Sequence, residues 1–158
     1  MKKRLLSLLL LCTLVFALSG CGEKTLLNKK KPVSLSFWHV YGEQAGSPMD
    51  LLVQEFNRTV GQERGVQVQV TGMSSASQIG GYLKDAQSGG KDVQEMPDLF
   101  TCHIVDALEL GEDNLVPWNE QFTPDELSDF IPGFLSDGTA EDGRLLIFPV
   151  SKSMQLLM

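Results

Sequence analysis

The fold is decided by residues 33–42, which read Val-Ser-Leu-Ser-Phe-Trp-His-Val-Tyr-Gly. Apolar residues alternate with serine up to Phe37, and this alternation is typical of a β-strand with one buried face. Polar and glycine residues follow and indicate a loop. We therefore predict a first strand that delivers Trp38, His39 and Tyr41 to the loop at its carboxyl end.

Strand patterns and helix patterns alternate along the rest of the chain. A helix is expected after Ser47, with Ser47 as N-cap and Asp50 as its capping-box partner. The remaining predicted elements are strands over 66–70, 99–100 and 145–148, and helices over 79–86 (capped by Ser77), 104–108 and 123–131. This order predicts the α/β class, with a mainly parallel sheet flanked by helices and ligands bound beyond the carboxyl ends of the strands.

The first twenty residues have the layout of a secretory signal. Three basic residues precede a nearly continuous apolar run over 5–18, which is shorter than the roughly 20 residues of a membrane-spanning helix. Residues 18–21, Leu-Ser-Gly-Cys, resemble the lipobox of bacterial lipoproteins. The resemblance implies that residues 1–20 are removed, that Cys21 is lipidated and that 21–32 form a flexible tether. The alternative is a plain signal peptide or membrane anchor in which Cys21 has no role.

Composition and charge narrow the class of protein. The 158 residues fit about one domain, and 13 basic against 20 acidic residues give a net charge of −7, which argues against nucleic-acid binding. Removal of residues 1–20, with three basic and no acidic residues, would make the charge −10. Cys12 would leave with the signal, so Cys102 would be the one thiol besides the lipidated Cys21. We expect Cys102 to be a small buried apolar residue, without a disulfide or a cofactor.

Several segments together carry a family resemblance. They are the lipobox, the first strand running into Phe37-Trp38-His39, the helix Leu51-Leu52-Val53-Gln54-Glu55-Phe56-Asn57, the strand 66–70, the segment Pro97-Asp98-Leu99-Phe100, and residues 142–151, Asp-Gly-Arg-Leu-Leu-Ile-Phe-Pro-Val-Ser. In this order and spacing they resemble the N-terminal part of an extracellular solute-binding protein of an ABC importer, family 1, the sugar-binding type. The chain departs from the family pattern at Leu146 and at Thr101-Cys102-His103.

The resemblance implies a periplasmic-binding-protein-like fold with two α/β lobes that close on a solute. Residues 33–149 would form the N-terminal lobe, and 150–158 would start the crossover to a second lobe that lies outside this sequence. The apolar end of the chain also leads us to expect an N-terminal fragment. The implied partners are a carbohydrate, the ABC permease subunits and, through the lipid, the outer face of the cell membrane. No catalysis is expected.

Candidate ligand-binding residues follow the predicted strands. Sugars are bound by aromatic faces and by fixed polar groups, and the candidates at these strand ends are Trp38, His39, Tyr41, Glu43, Ser74 and Thr101. The resemblance adds Ser151 and Ser153, which match the polar stretch at the crossover that in relatives reaches the ligand. We expect Trp38, Tyr41 and Ser151 to share one concavity. The alternative for Trp38 is a place in the core.

Other functions are weighed against sugar binding. Lys152 between two serines would also suit a phosphate, so a phosphorylated polyol such as glycerol 3-phosphate is an alternative ligand. A lipid-anchored hydrolase is a second alternative, although the chain lacks a Gly-x-Ser-x-Gly motif. A lipoprotein that only interacts with a partner and binds no small ligand is a third. A zinc set of His39, Cys102, His103 and Asp106 lacks the usual ligand spacing, so no metal is predicted.

Overall fold

The computed structural model describes residues 27–42, 46–73 and 75–151. Within these residues the elements are β1 (Val33–His39), α1 (Pro48–Arg58), α2 (Val60–Arg64), β2 (Val66–Gly72), α3 (Ala76–Ser88), β3 (Leu99–Phe100), α4 (Ile104–Glu109), α5 (Pro124–Ser128) and α6 (Pro132–Asp137). Two short 3₁₀ helices, Glu112–Asn114 and Trp118–Glu120, lie between α4 and α5. The proposed signal 1–20 and Cys21 lie outside the described residues.

The three strands form one parallel sheet in the order β2-β1-β3. β1 is central and pairs with β2 along its whole length, from Val33 opposite Val66 to His39 opposite Gly72. β3 pairs only with the end of β1. The predicted α/β class with a mainly parallel sheet is confirmed, and the carboxyl ends of all three strands meet at one edge.

Helices cover both faces of the sheet because successive side chains of β1 point in opposite directions. Trp38 faces α3 and lies in a buried cluster with Ile79 and Leu83. His39 points to the other face and contacts Asp50 of α1. Burying each large apolar side chain contributes roughly 1.5–3 kcal/mol, so the α3 face supplies most of the apolar stabilisation near the carboxyl edge.

A polar clamp extends the short pairing of β3 with β1. Oδ2 of Asp98 accepts hydrogen bonds from the backbone N–H and the hydroxyl of Ser36, both at 2.8 Å, and the N–H of Asp98 donates to Ser36 Oγ at 3.0 Å. These bonds, first that from the backbone N–H, hold the pKa of Asp98 below its usual value. Asp98 is therefore a structural acceptor that fixes the start of β3.

Several predicted helix boundaries are wrong. α1 ends at Arg58 and a second short helix, α2, follows Thr59. The N-cap of α3 is Ser75, whose side chain accepts a hydrogen bond from the N–H of Ser77, so Ser77 is not the cap. The capping box of Thr123 and Glu126 is confirmed.

The predicted last strand is also wrong. The backbone N–H groups of Leu146 and Ile147 both donate to the carbonyl of Gly138, at 3.0 and 3.1 Å, and a single bridge joins Leu145 to Thr139. The partners of this segment are the turn after α6 and the second 3₁₀ helix, in which the N–H of Trp118 donates to the carbonyl of Leu145 at 2.7 Å. The sequence did not predict this turn because Pro132 was interpreted as the end of a helix. In the structure Pro132 begins one.

No helix in the described part of the chain is both long enough and apolar enough to cross a bilayer.

The outer edge of β2 is paired by a side chain. Asn57 of α1 donates from Nδ2 to the carbonyl of Val68 and accepts at Oδ1 from the N–H of Val68, both at 2.8 Å. The amide thus takes the place of a neighbouring strand at this position, and it joins α1 to the sheet.

Asn57→Ala is expected to lower the free energy of unfolding by about 1–3 kcal/mol, because it leaves both partly buried groups of Val68 without partners. Asn57→Asp should destabilise as well, since a carboxylate oxygen then faces the Val68 carbonyl. Urea unfolding followed by tryptophan fluorescence measures both changes. Gln54→Ala, an exposed site on the same helix, is the matched control. Equal effects at positions 54 and 57 would contradict this role of Asn57.

Candidate ligand-binding cleft

A cleft of about 1010 Å³ runs along β3, from the residues before this strand to those after it, and reaches Val40 and Tyr41 at the carboxyl end of β1. The chain leaves β1 toward β2 on one side of the sheet and leaves β3 on the other side, so the loops diverge between these two strands. This is the topological switch point at which open parallel sheets bind their ligands.

The described lining of the cleft is mainly apolar and carries a few polar groups. Its aromatic members outside the sheet are Tyr41, Trp118, Phe134 and Phe148, and its polar members include Thr101, His103, Asn114, Gln121 and Ser151. Such a combination of apolar walls and few fixed polar groups is typical of small-molecule sites.

Tyr41 and Ser151 meet at the cleft, although 110 positions separate them in sequence. The phenolic oxygen of Tyr41 lies 2.9 Å from Oγ of Ser151. Tyr41 follows β1, and Ser151 follows the segment predicted to lead to the crossover. The structure thus brings together two of the three residues for which we expected a shared concavity.

Thr101, the residue directly after β3, holds the backbone at the carboxyl end of β1. Its backbone N–H donates to the carbonyl of Trp38 at 2.9 Å, which continues the pairing of β3 with β1. Its Oγ1 accepts from the N–H of Val40 at 3.2 Å. Thr101 therefore lines the cleft and also fixes the first residue after β1.

Two glycines bring the loops after β1 and β2 close together. A Cβ placed on Gly42 would lie 2.8 Å from Cα of Gly72, and one on Gly72 would lie as close to Gly42. Any side chain at either position would push the two loops apart. The close approach of these backbones fixes the position of Gly42, the residue after Tyr41.

His39 lies beneath the cleft rather than in its lining. The side chain is fully buried, with Nε2 2.9 Å from Oδ1 of Asp50 and Nδ1 3.1 Å from the backbone nitrogen of Tyr41. Its ring contacts those of Phe37 and Tyr41, with centroids 5.6 and 6.0 Å apart. The predicted capping box of Ser47 and Asp50 is wrong. Asp50 bonds to His39 instead, and the side chain of Ser47 makes no cap hydrogen bond.

Trp38 is placed in the core, not in the cleft. Only 4% of the residue is exposed, and it packs with Ile79 and Leu83 of α3. The physical reason is the alternation of a strand, which turns the indole toward the helix layer. Glu43, Ser74 and Ser153, together with Lys152, lie outside the described residues and stay predictions.

Two aromatic lining residues were missed by sequence reasoning. Trp118 and Phe148 both line the cleft, with ring centroids 5.7 Å apart, and Phe122 stacks on Phe148 at 5.2 Å. Phe148 was assigned to a strand, and neither residue was named as a candidate for the site. The aromatic residue directly before Pro149 is the one sequence signal from which Phe148 could have been predicted as part of the cleft lining.

Cys102 lines the cleft but is a poor nucleophile. Burial, with a smaller contribution from the negative charge of Asp106, raises the pKa of its thiol from 9.0 to about 11. It packs against the core cluster, as expected for a small apolar residue. Among the residues that the structure describes, no three His, Cys, Asp or Glu side chains are grouped so as to hold a metal ion.

Known proteins provide a comparison at the level of structure. No family model matches the chain, and no curated protein matches it. The galacto-N-biose-/lacto-N-biose I-binding protein of the ABC transporter from Bifidobacterium longum, solved in complex with lacto-N-biose, matches with a TM-score of 0.52 and 21% identity. The match covers 72% of this chain and 27% of that chain. The chain thus shares its fold with part of a sugar-binding protein of an ABC transporter.

The raised pKa of Cys102 predicts slow alkylation. At pH 8 the folded chain should carry roughly 100-fold less Cys102 thiolate than the urea-unfolded chain, because the pKa is about 11 rather than 9.0. Iodoacetamide labelling should therefore keep rising tenfold per pH unit through pH 9 in the folded chain. Mass spectrometry of the Cys102 peptide separates this thiol from Cys12 and Cys21. Equal labelling rates in the folded and unfolded chains at pH 8 would refute the prediction.

Proposed function

We propose that the chain is part of a solute-binding protein of an ABC importer and that its cleft binds a sugar or oligosaccharide. The observation that carries this proposal is the group of hydroxyls from Tyr41, Thr101 and Ser151 at the carboxyl edge of the sheet, beside Trp118 and Phe148. Hydroxyls at fixed positions bond to sugar hydroxyls, and aromatic faces pack on sugar C–H groups.

The charges of the cleft favour an uncharged ligand. In the lining that the structure describes there is no lysine or arginine, and the one carboxylate, Asp98, is engaged with Ser36. A phosphorylated polyol would need cationic donors, for which Lys152 is the candidate outside the described residues. A neutral carbohydrate needs no such partner.

The shared fold supports binding by closure of two lobes. The matched neighbour is by its name a binding protein, and this chain spans 27% of it. A second lobe would close over the cleft and exclude water from the ligand. The closed, loaded form would then deliver the solute to a membrane permease. A cleft formed by one lobe alone should bind the sugar weakly.

The lipobox supports attachment of the protein to the outer face of the cell membrane. Cleavage before Cys21 and lipidation of its thiol would hold the protein at the extracytoplasmic face, since several acyl chains anchor firmly where one is marginal. The residues up to 32, four lysines among them, would form a polar tether between this anchor and β1.

Sugar binding is tested by calorimetry on the two-lobed full-length protein and on this chain, titrated with lacto-N-biose, an oligosaccharide panel and glycerol 3-phosphate. We expect a sugar to bind the full-length protein, and Tyr41→Phe to weaken it roughly 3–10-fold, the worth of one hydrogen bond. Tyr82→Phe makes the same chemical change on the exposed side of α3 and should have no effect.

Two outcomes would contradict sugar capture, and a third would contradict the role of a second lobe. Preference for glycerol 3-phosphate over every sugar would identify the phosphorylated ligand instead. Release of hydrolysis products from the panel would identify a hydrolase. Binding by this chain as tight as that of the full-length protein would refute the need for a second lobe.

Lipidation at Cys21 is tested by labelling bacteria that express the chain with an alkyne analogue of palmitate. The wild type and Cys12→Ser should be labelled and remain with the membrane fraction. Cys21→Ser should lose the label, because no other thiol follows the predicted cleavage site directly. Label that persists in Cys21→Ser, or that disappears in Cys12→Ser, would contradict the assignment.

A further inference from the structure

The chemistry of its partners fixes the tautomer of buried His39. A backbone N–H only donates, so Nδ1, which lies 3.1 Å from the nitrogen of Tyr41, must present its lone pair. The proton of the neutral ring is therefore on Nε2, which donates to Oδ1 of Asp50 at 2.9 Å. Both ring nitrogens are used, and the ring is fully buried.

The residues after β1 are held by side chains rather than by strand pairing. The N–H of Val40 donates to Thr101 Oγ1, and the N–H of Tyr41 donates to the ring of His39. These two bonds set where the backbone leaves the sheet. The position of the Tyr41 phenol beside Ser151 depends on them.

Asp50 fixes the orientation of the His39 ring. It lies in the first turn of α1, where the helix dipole stabilises a carboxylate. Its bond to Nε2 prevents the ring from flipping and taking Nδ1 away from Tyr41. The residue that sequence reasoning assigned to a capping box therefore connects α1 to the cleft.

We propose that His39 is a positioning residue for the cleft, because its Nδ1, oriented by Asp50 at Nε2, holds the backbone of Tyr41 where the phenol reaches the ligand. This role rests on the proposed ligand-binding function of the cleft. It differs from a role in stability alone, in which substitutions of His39 that still fold would leave the affinity for the ligand unchanged.

Two amide substitutions separate these roles. In Asn the side-chain oxygen is as many bonds from Cβ as Nδ1 is in His, so His39→Asn keeps an acceptor for the N–H of Tyr41. In Gln the side-chain nitrogen matches Nε2 in the same way, so His39→Gln keeps the donor to Asp50 and loses the acceptor. Both variants replace a buried ring by an amide, which makes them matched controls for each other.

The experiment uses the whole ¹⁵N-labelled chain in detergent micelles, which accommodate its apolar leader. In the wild type, ¹H–¹⁵N correlation should show a protonated Nε2 and an unprotonated Nδ1 in His39. Hydrogen exchange at the Tyr41 amide should be roughly tenfold faster in His39→Gln than in His39→Asn, since one hydrogen bond is lost. Equal Tyr41 exchange in the two variants, or a protonated Nδ1 in the wild type, would overturn the proposal.

A second measurement keeps this result separate from the proposed function. Lacto-N-biose is titrated into the two-lobed full-length protein carrying each substitution, and we expect a greater loss of affinity in His39→Gln than in His39→Asn. If both variants bind it as the wild type does, His39 does not position the ligand site and the proposal fails. If no protein binds lacto-N-biose or any member of the oligosaccharide panel while the Tyr41 amide behaves as expected, the sugar assignment fails and the positioning of Tyr41 stands.

Discussion

The parallel pairing of β1 between β2 and β3 is the constraint on which the rest of the structure depends. It sets the carboxyl ends of three strands at one edge, and it makes the loops diverge between β1 and β3. β3 contributes only two paired residues, so this arrangement needs the clamp between Asp98 and Ser36 to hold it. β3 covers only the carboxyl end of β1, and the chain turns away directly after β3. The cleft occupies the space beside this short strand.

The strands and the first helix could be predicted from the sequence because their signals are local. Alternation in 33–37 and in 66–70 depends only on neighbouring residues, and the topology rule then pointed to Tyr41 and Thr101. Ser151 was found through the family resemblance, since the strand predicted before it does not form. Trp38 was ambiguous because a residue next to the end of a strand, as Trp38 is in β1, faces either the helix layer or the cleft. Trp118 and Phe148 could not be found this way, since they meet only after α5, α6 and the segment at 145–148 have packed together.

The N-terminus of α1 shows how a tertiary contact overrides a local signal. Ser47, Pro48 and Asp50 have the spacing of a capping box, yet Asp50 turns to His39, and the hydroxyl of Ser47 is buried without a hydrogen-bond partner. Leaving such a hydroxyl unpaired costs roughly 1–3 kcal/mol. The bond of Asp50 to a fully buried imidazole is charge-assisted and offsets part of this cost. The N-terminus of α1 is therefore less stable than a capped helix end would be. The same helix end supplies Asp50, which orients the His39 ring that holds the backbone of Tyr41.

Two different kinds of interaction therefore define the sheet and its ligand edge. Apolar packing of α3 on Trp38 holds the layers together and is indifferent to small changes at the rim. The rim itself is placed by single hydrogen bonds, from Val40 to Thr101 and from Tyr41 to His39. Each of these contributes little to stability, but each fixes one backbone group at the cleft. Changes in the lining, at Phe148 or Ser151 for instance, can then alter what is bound while the sheet and the backbone of the rim remain in place.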